Sequence, residues 1–210
     1  MGLPHPRKTV MSKHSKSPNP IHEKKFAGFK ASKTIVLVGL MGVGKTTVGR
    51  RLARRLRLGF VDSDIEIEKA AGMSIADIFD TYGEEDFRSG ERRVIARLLE
   101  GKPQVVATGG GAFVNTETRR LIKDAGISIW LVADIDVLVE RTSRRNTRPL
   151  LMEGDPEEIL RRLSVERAPL YAEADLKIQS NVGPHDLIVD SIIEALIKLN
   201  APNQQENSHV

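Results

Sequence analysis

Between residues 31 and 200 the chain alternates short apolar runs with longer stretches of helical periodicity. Residues 34–39 (TIVLVG) are continuous and β-rich, the pattern of a strand buried on both faces. Residues 46–58 predict a helix: Val48, Leu52 and Leu56 recur at every fourth position, while Arg50, Arg51, Arg54, Arg55 and Arg57 take its other sides. A brief strand at 60–61 and a helix over 64–71, stopped near Gly72, come next. Ser74 and Asp77 have capping-box spacing, with Asp in place of the usual Glu or Gln, and predict a short helix over 75–82. A longer helix over 84–100 ends at Gly101 and Pro103. Strands are expected at 104–108 and 127–132, on either side of a helix over Thr116–Ala125. Helices over 134–145 and Pro156–Tyr171 flank a loop at 146–155. A strand at Leu176–Gln179 and a helix over 186–199 complete the pattern. Repeated strand–helix units of this kind predict a parallel sheet with helices on both faces. Trp130 and the apolar helix stripes are expected in its core.

Composition narrows the function classes. The 210 residues suffice for one α/β domain. No apolar run approaches the length of a bilayer span, and no signal-peptide apolar region follows the N-terminus. With no cysteine, disulfides and thiolate metal sites are excluded, and a reducing cytoplasm is compatible. The net charge of +4 is unevenly spread. Residues 1–30 carry seven Lys/Arg against one acid, Glu23, whereas the remainder carries 25 basic and 27 acidic residues. The basic excess therefore belongs to a tail, residues 1–30, rich in Pro, Ser, Lys and His and read as disordered. Its first twenty residues contain no acid, so a transit peptide is the minor alternative there. Residues 201–210 read as a second disordered end. A nucleic-acid-binding domain would carry the excess within its fold, so neither nucleic acid nor membrane is expected as a partner.

The chemistry begins at residues 39–46, Gly-Leu-Met-Gly-Val-Gly-Lys-Thr, which match G-x-x-x-x-G-K-[ST] between a predicted strand and helix. Its glycines let backbone N–H groups wrap phosphate closely, and the helix N-terminus adds partial positive charge. Lys45 is placed to reach the β- and γ-phosphates, and the Thr46 hydroxyl to ligate Mg²⁺. Many such proteins carry a metal-binding Asp at the end of a neighbouring strand, but the run at 104–108 passes into Gly109, Gly110 and Gly111 instead. Asp62 and Asp64, directly after the second strand, are the candidates to fill that role. In an extended exit segment they would point to opposite sides, one toward Mg²⁺ and one toward an acceptor hydroxyl. The alternative is that Asp62 merely caps the next helix. The three glycines read equally as a flexible turn or as a backbone surface for a ligand.

Several arginines sit where decoration does not explain them. On the helix over 84–100, Phe87, Val94, Ile95 and Leu98 form an apolar stripe, and Glu91 falls on it. A carboxylate facing a core needs a partner, and Arg88 is three residues away. The pair either aims Arg88 at a ligand or is a plain structural ion pair. Arg167 precedes Pro169, which is expected to kink or end its helix. Arg141, Arg144, Arg145 and Arg148 crowd residues 141–155, a basic, turn-rich insert suited to a lid that closes over triphosphate. His185 is the only histidine between residues 31 and 200, so Ser–His and His-ligated metal mechanisms lack their parts.

Over roughly residues 33–195 the chain resembles the shikimate kinases. The resemblance rests on GLMGVGKTT at 39–47, FVDSD at 60–64, EEDFRSGE at 84–91, TGGGA at 108–112, RNTRPLL at 145–151 and ERAPLY at 166–171. It implies a P-loop fold of nucleoside-monophosphate-kinase type, a five-stranded parallel sheet flanked by helices with a lid at about 141–155. It implies transfer of the ATP γ-phosphate to the 3-hydroxyl of shikimate, giving 3-phosphoshikimate and ADP in chorismate and aromatic amino-acid synthesis. One Mg²⁺ accompanies ATP, and a cytoplasmic monomer is expected. By matching position, Gly42, Val43, Gly44, Lys45, Thr46, Thr47, Arg141 and Arg148 bind ATP, with Arg141 stacking on adenine and Arg148 closing onto the phosphates. Thr46 and Asp62 hold the metal, and Asp64 meets the acceptor hydroxyl. Arg88 and Arg167 bind the shikimate carboxylate, and Gly110 offers the substrate a backbone contact. Lys45, Asp64 and Arg148 form the catalytic set. The rival readings are a gluconate-kinase-like enzyme, which has less use for two carboxylate-binding arginines, and a nucleotide-binding regulator without catalysis.

Overall fold

A computed structural model describes residues 30–143, 154–181 and 183–200. Residues 1–29 and 201–210 of the expected tails, Arg144, Arg145 and Arg148, and most of the expected lid lie outside the described residues.

Five strands form a single sheet: β1 (Thr34–Val38), β2 (Gly59–Asp62), β3 (Gln104–Ala107), β4 (Gly126–Val132) and β5 (Leu176–Gln179). All four pairings are parallel, in the order β2-β3-β1-β4-β5. β1 is central, and every residue of it is buried, as its unbroken apolar run requires. The order reverses direction beside β1, so the chain leaves β1 and β3 on the two sides of one crevice, where ligands gather in open α/β sheets.

Helix α1 (Lys45–Leu56) follows β1 and buries Val48, Gly49, Leu52 and Ala53. Helix α2 (Ser63–Ala71) follows β2, and α3 (Ile75–Leu99) runs on from it. α3 contains both helices predicted between Ile75 and Glu100, joined at Gly83, whose φ of 79° and ψ of 178° break the helical path. Its start carries the predicted capping box between Ser74 and Asp77, worth about 1 kcal/mol. Helix α4 (Thr116–Ala125) precedes β4; α5 (Ile135–Ser143) follows it. Helices α6 (Pro156–Tyr171) and α7 (His185–Asn200) flank β5. Pro169 does not end α6, which continues to Tyr171. A proline there removes one late N–H bond, and two further residues complete the last turn.

The main core gathers β1, β3, β4, α1 and α7 around Ile35, Leu37, Leu52, Ile129 and Ile192. Trp130 lies at its margin, partly buried rather than central, with its ring centroid 5.8 Å from that of Tyr171. A smaller cluster of Ile67, Ile78, Phe87, Val94, Leu98 and Val106 fastens α2 and α3 to the sheet. Each such side chain contributes about 1.5–3 kcal/mol on burial. That second cluster sets where Arg88, next to Phe87, can reach. No helix among the described residues is long and apolar enough to cross a membrane.

Candidate functional site

The loop between β1 and α1 is shaped for an anion. Gly42 and Gly44 adopt left-handed φ values of 81° and 99°, where a β-carbon would be strained. Gly44 caps α1 without any side-chain oxygen, and the first turn carries no acid. The N–H groups at that end therefore meet no competing anion from their own helix. Lys45 is buried, and its Nζ donates to Gly39 O at 2.7 Å and Leu40 O at 2.9 Å. Thr47 sits in the first turn of α1.

A second segment braces this loop from behind. Ser180 Oγ donates to Val43 O at 2.9 Å. Arg141 NH1 donates to Ser180 O at 3.1 Å and Val43 O at 3.4 Å, while its NH2 donates to Asn181 O at 3.1 Å. Arg141 thus links α5, the loop and the end of β5. Residues 180 and 181 were not legible as site residues in the sequence; their position just past a strand's carboxyl end was the available signal.

Asp62 serves two purposes that the sequence presented as alternatives. It is the N-cap of α2, accepting from Asp64 N through Oδ1 at 3.2 Å. Its other oxygen, Oδ2, accepts from the Thr46 hydroxyl at 2.8 Å. The expected extended segment is corrected here: the chain turns helical at Ser63, because the cap starts α2 at once. Separation of Asp62 from Asp64 comes from that helical turn. Asp64 faces the glycine turn, with Oδ1 2.7 Å from where a β-carbon on Gly109 would stand. Ser63, fully buried between them, accepts from Gly109 N at 3.3 Å. Thr46 and Asp62 present adjacent hard oxygens beside a helix N-terminus, a donor pair that fits Mg²⁺ with its remaining positions open to phosphate and water.

The two arginines meet across the glycine turn. A β-carbon on Gly111 would lie 2.5 Å from Arg88 NH2, so only glycine lets that guanidinium lie against the backbone. Arg88 is held by Glu91, NH1 to Oε2 at 2.7 Å, and by Glu84, NH2 to Oε1 at 3.2 Å. Arg167 NH1 donates to Gly110 O at 3.2 Å, and the Tyr171 hydroxyl donates to the same oxygen. Burial raises the Tyr171 pKa against the opposing pull of Arg167 and then Arg88, so one phenol lies within electrostatic reach of both guanidinium groups. A β-carbon on Gly110 would stand 3.8 Å from Arg167 NH1, 3.5 Å from Met41 N and 3.8 Å from Gly39 O. The arginine pair and the phosphate loop therefore share a wall.

Glu91 is the least ordinary group in this pocket. It is 1% exposed, and Oε1 has no hydrogen-bond partner among the described residues. Burial pushes its pKa up, with Arg88 opposing and Asp64 adding to the rise. Its partner responds in the other sense: burial lowers the Arg88 pKa, but Glu91 and Glu84 outweigh it and the net shift is upward. Lys45, Thr46, Asp62, Asp64, Arg88, Gly110 and Arg167 are thus gathered in one crevice, with Gly42, Val43, Gly44 and Thr47 on its loop. Arg148 lies outside the described residues. Ser63, Glu84 and Tyr171 enter as members that sequence reading gave no role. Tyr171, one helical turn after Arg167 on the same face, was the most findable of the three.

Comparison with known proteins bears on this geometry. The family model for shikimate kinase matches residues 41–197. A shikimate kinase of Bradyrhizobium diazoefficiens is 58% identical over 165 residues, covering 79% of this chain and 80% of that relative. The structure of a shikimate kinase from Acinetobacter baumannii in complex with shikimate aligns with a TM-score of 0.78 at 39% identity, covering 86% of this chain and 99% of that one. A gluconokinase from Sinorhizobium meliloti aligns with a TM-score of 0.53 at 18% identity over 80% of this chain and 93% of that one, a likeness of fold alone.

Proposed function

Since the chain belongs to the shikimate kinase family, we propose that it transfers the γ-phosphate of ATP to the 3-hydroxyl of shikimate, releasing ADP and 3-phosphoshikimate. The observation that carries this reading is the convergence of Arg88 and Arg167 on adjacent glycines, of which Gly110 also abuts the phosphate loop. Shikimate is a small polyol with one carboxylate, and two guanidinium groups suit that anion through paired, charge-assisted hydrogen bonds. Gluconate kinases share the fold, but the identity with this chain lies with shikimate kinases.

In this reading the ATP phosphates lie in the 39–46 loop, and Lys45 leaves its two carbonyl partners to reach them. Thr46 and Asp62, whose side chains meet in a hydrogen bond, would hold Mg²⁺. When bound, that ion would neutralise the negative charge of the phosphates. Arg88 and Arg167 fix the acceptor carboxylate, which orients the ring so that its 3-hydroxyl faces Asp64. Asp64 orients that hydroxyl and takes its proton as the new oxygen–phosphorus bond forms and the β–γ bridging bond breaks. Arg141 and the 180–181 turn back the nucleotide side. The role assigned to Arg148, charge delivered from a lid, rests on the sequence resemblance.

Every group assigned here comes from one chain, so a monomer suffices for the chemistry. A cytoplasmic setting, with which the cysteine-free sequence is compatible, is part of the same proposal. The deciding experiment measures ADP release with shikimate and gluconate side by side, together with shikimate binding in the presence of ADP and Mg²⁺. Saturable turnover with shikimate alone is expected. Equal or faster turnover with gluconate would overturn the acceptor assignment, and binding without turnover would favour a regulatory protein.

A further inference from the structure

The glycine turn is fastened at a second point, away from the arginine pair. Val114 N donates to Gly111 O at 3.0 Å and Ala112 N to Gly109 O at 3.3 Å, folding residues 109–114 tightly. Ala112 and Phe113 are fully buried, so the carbonyls of this turn cannot all look to water. Arg119, on α4 and only 9% exposed, supplies the donors: NH1 reaches Phe113 O at 3.0 Å and Val114 O at 2.9 Å. The same guanidinium turns its Nε to Glu173 Oε1 at 3.2 Å, and Lys123 Nζ holds Glu173 Oε2 at the same distance. Glu173 lies two residues beyond Tyr171, where α6 ends, and the Lys123 and Arg119 cations hold its carboxyl below the ordinary range. Thus α6 grips the turn at Gly110 through Arg167 and Tyr171, and the end of α6 grips it again through Glu173 and Arg119.

We propose that Arg119 is a positioning residue for the acceptor pocket. Its guanidinium latches the glycine turn to the end of α6, so that Gly110, Gly111 and Arg167 keep one spacing around the substrate carboxylate. Arg119 itself bonds to backbone carbonyls and to Glu173, and it works through the turn. The bonds of the latch run to the glycine turn and to Glu173, which makes its expected effect one-sided. Two points fix α6 against the turn, and with one point lost the arginine and the glycines can drift relative to each other. A 1 Å error in a carboxylate clamp is enough to weaken it strongly.

The inference rests on the acceptor reading above, and the test separates the two. In the full chain, Arg119→Met, Arg119→Lys and Glu173→Gln are compared with wild type for kcat, KM for shikimate, ADP affinity and thermal unfolding. Wild type without shikimate turnover would sink the acceptor reading itself. With wild type active, Arg119→Met is expected to raise KM for shikimate roughly tenfold, the loss of one charge-assisted contact. ADP affinity should stay within about twofold of wild type over the same comparison. Arg119→Lys should recover part of that loss, since an ammonium still reaches one carbonyl, whereas a mere space-filling role would make Met the better substitute. If Arg119→Met does not fold, Glu173→Gln decides the matter from the half-exposed end of the latch: KM for shikimate should rise about threefold. An unchanged KM in Glu173→Gln, or shikimate and ADP affinities that fall together, would overturn the proposal.

Discussion

The phosphate loop and the acceptor pocket share a wall at Gly110, yet they are assembled in opposite ways. The loop is eight consecutive residues, 39–46, and its instruments are backbone N–H groups, three glycines at positive φ and one lysine. The pocket draws Asp64 from α2, Arg88 and Glu91 from α3, three glycines from the exit of β3, and Arg167 and Tyr171 from α6. In the loop, the backbone path follows from local φ values, and Ser180 and Arg141 brace it from outside. In the pocket, geometry is a difference between the positions of packed helices, with Arg88 held by Glu84 and Glu91, and Arg167 and Tyr171 held at Gly110 O. Damage to the loop should therefore abolish transfer to any acceptor. Damage to the pocket should raise the acceptor's KM while nucleotide binding persists.

Lys45→Ala offers the hardest test of that contrast. Removing its charge from the transferring phosphates is expected to lower kcat by at least about 100-fold, with unchanged circular dichroism and with both substrates saturating. Turnover within a few-fold of wild type would break the contrast on the loop side. Gly111→Ala probes the pocket side, since its β-carbon would stand 2.5 Å from Arg88 NH2. Displacing that guanidinium should raise KM for shikimate about tenfold and leave ADP affinity within about twofold, which steady-state kinetics and ADP titration would read directly. Equal losses on both sides would mean the two regions act as one unit. Tyr171→Phe deletes one of the two donors to Gly110 O. A cost near 1 kcal/mol in urea unfolding is expected, with a rise in KM of roughly threefold.

The smallest effect concerns pH. Burial holds the Glu91 carboxyl above the ordinary glutamate range, so the folded chain binds that proton more tightly than the unfolded chain does. In the interval between the ordinary value and the raised one the native state carries more bound protons, and stability falls as pH rises through it. Glu91→Gln should flatten that part of the stability–pH curve measured by urea titration. A slope identical to wild type would assign the effect to another group.

Much of the fold was legible because its signals are local. The apolar run of β1, the four-residue repeat of α1 and the Ser74–Asp77 box each follow from neighbouring residues, and the structure contains all three. Boundaries moved where a tertiary contact or cap took over. The N-cap at Asp62 starts α2 at Ser63, and α6 runs past Pro169 to Tyr171. Trp130 was expected in the core and sits at its edge, because β4 there borders β5 and the ring packs toward Tyr171.

What the sequence determined by itself is the phosphate loop and the order of strands and helices, since both depend on contacts a few residues apart. It also placed Glu91 on an apolar face beside Arg88, because three residues make less than one helical turn. Only the tertiary structure decided that Arg88 and Arg167 approach the same glycines, that Ser180 and Arg141 brace the loop, and that Arg119 joins the turn to the end of α6. Those relations join segments far apart in the chain, and their distances are set by how helices pack on a twisted sheet. No local pattern encodes them.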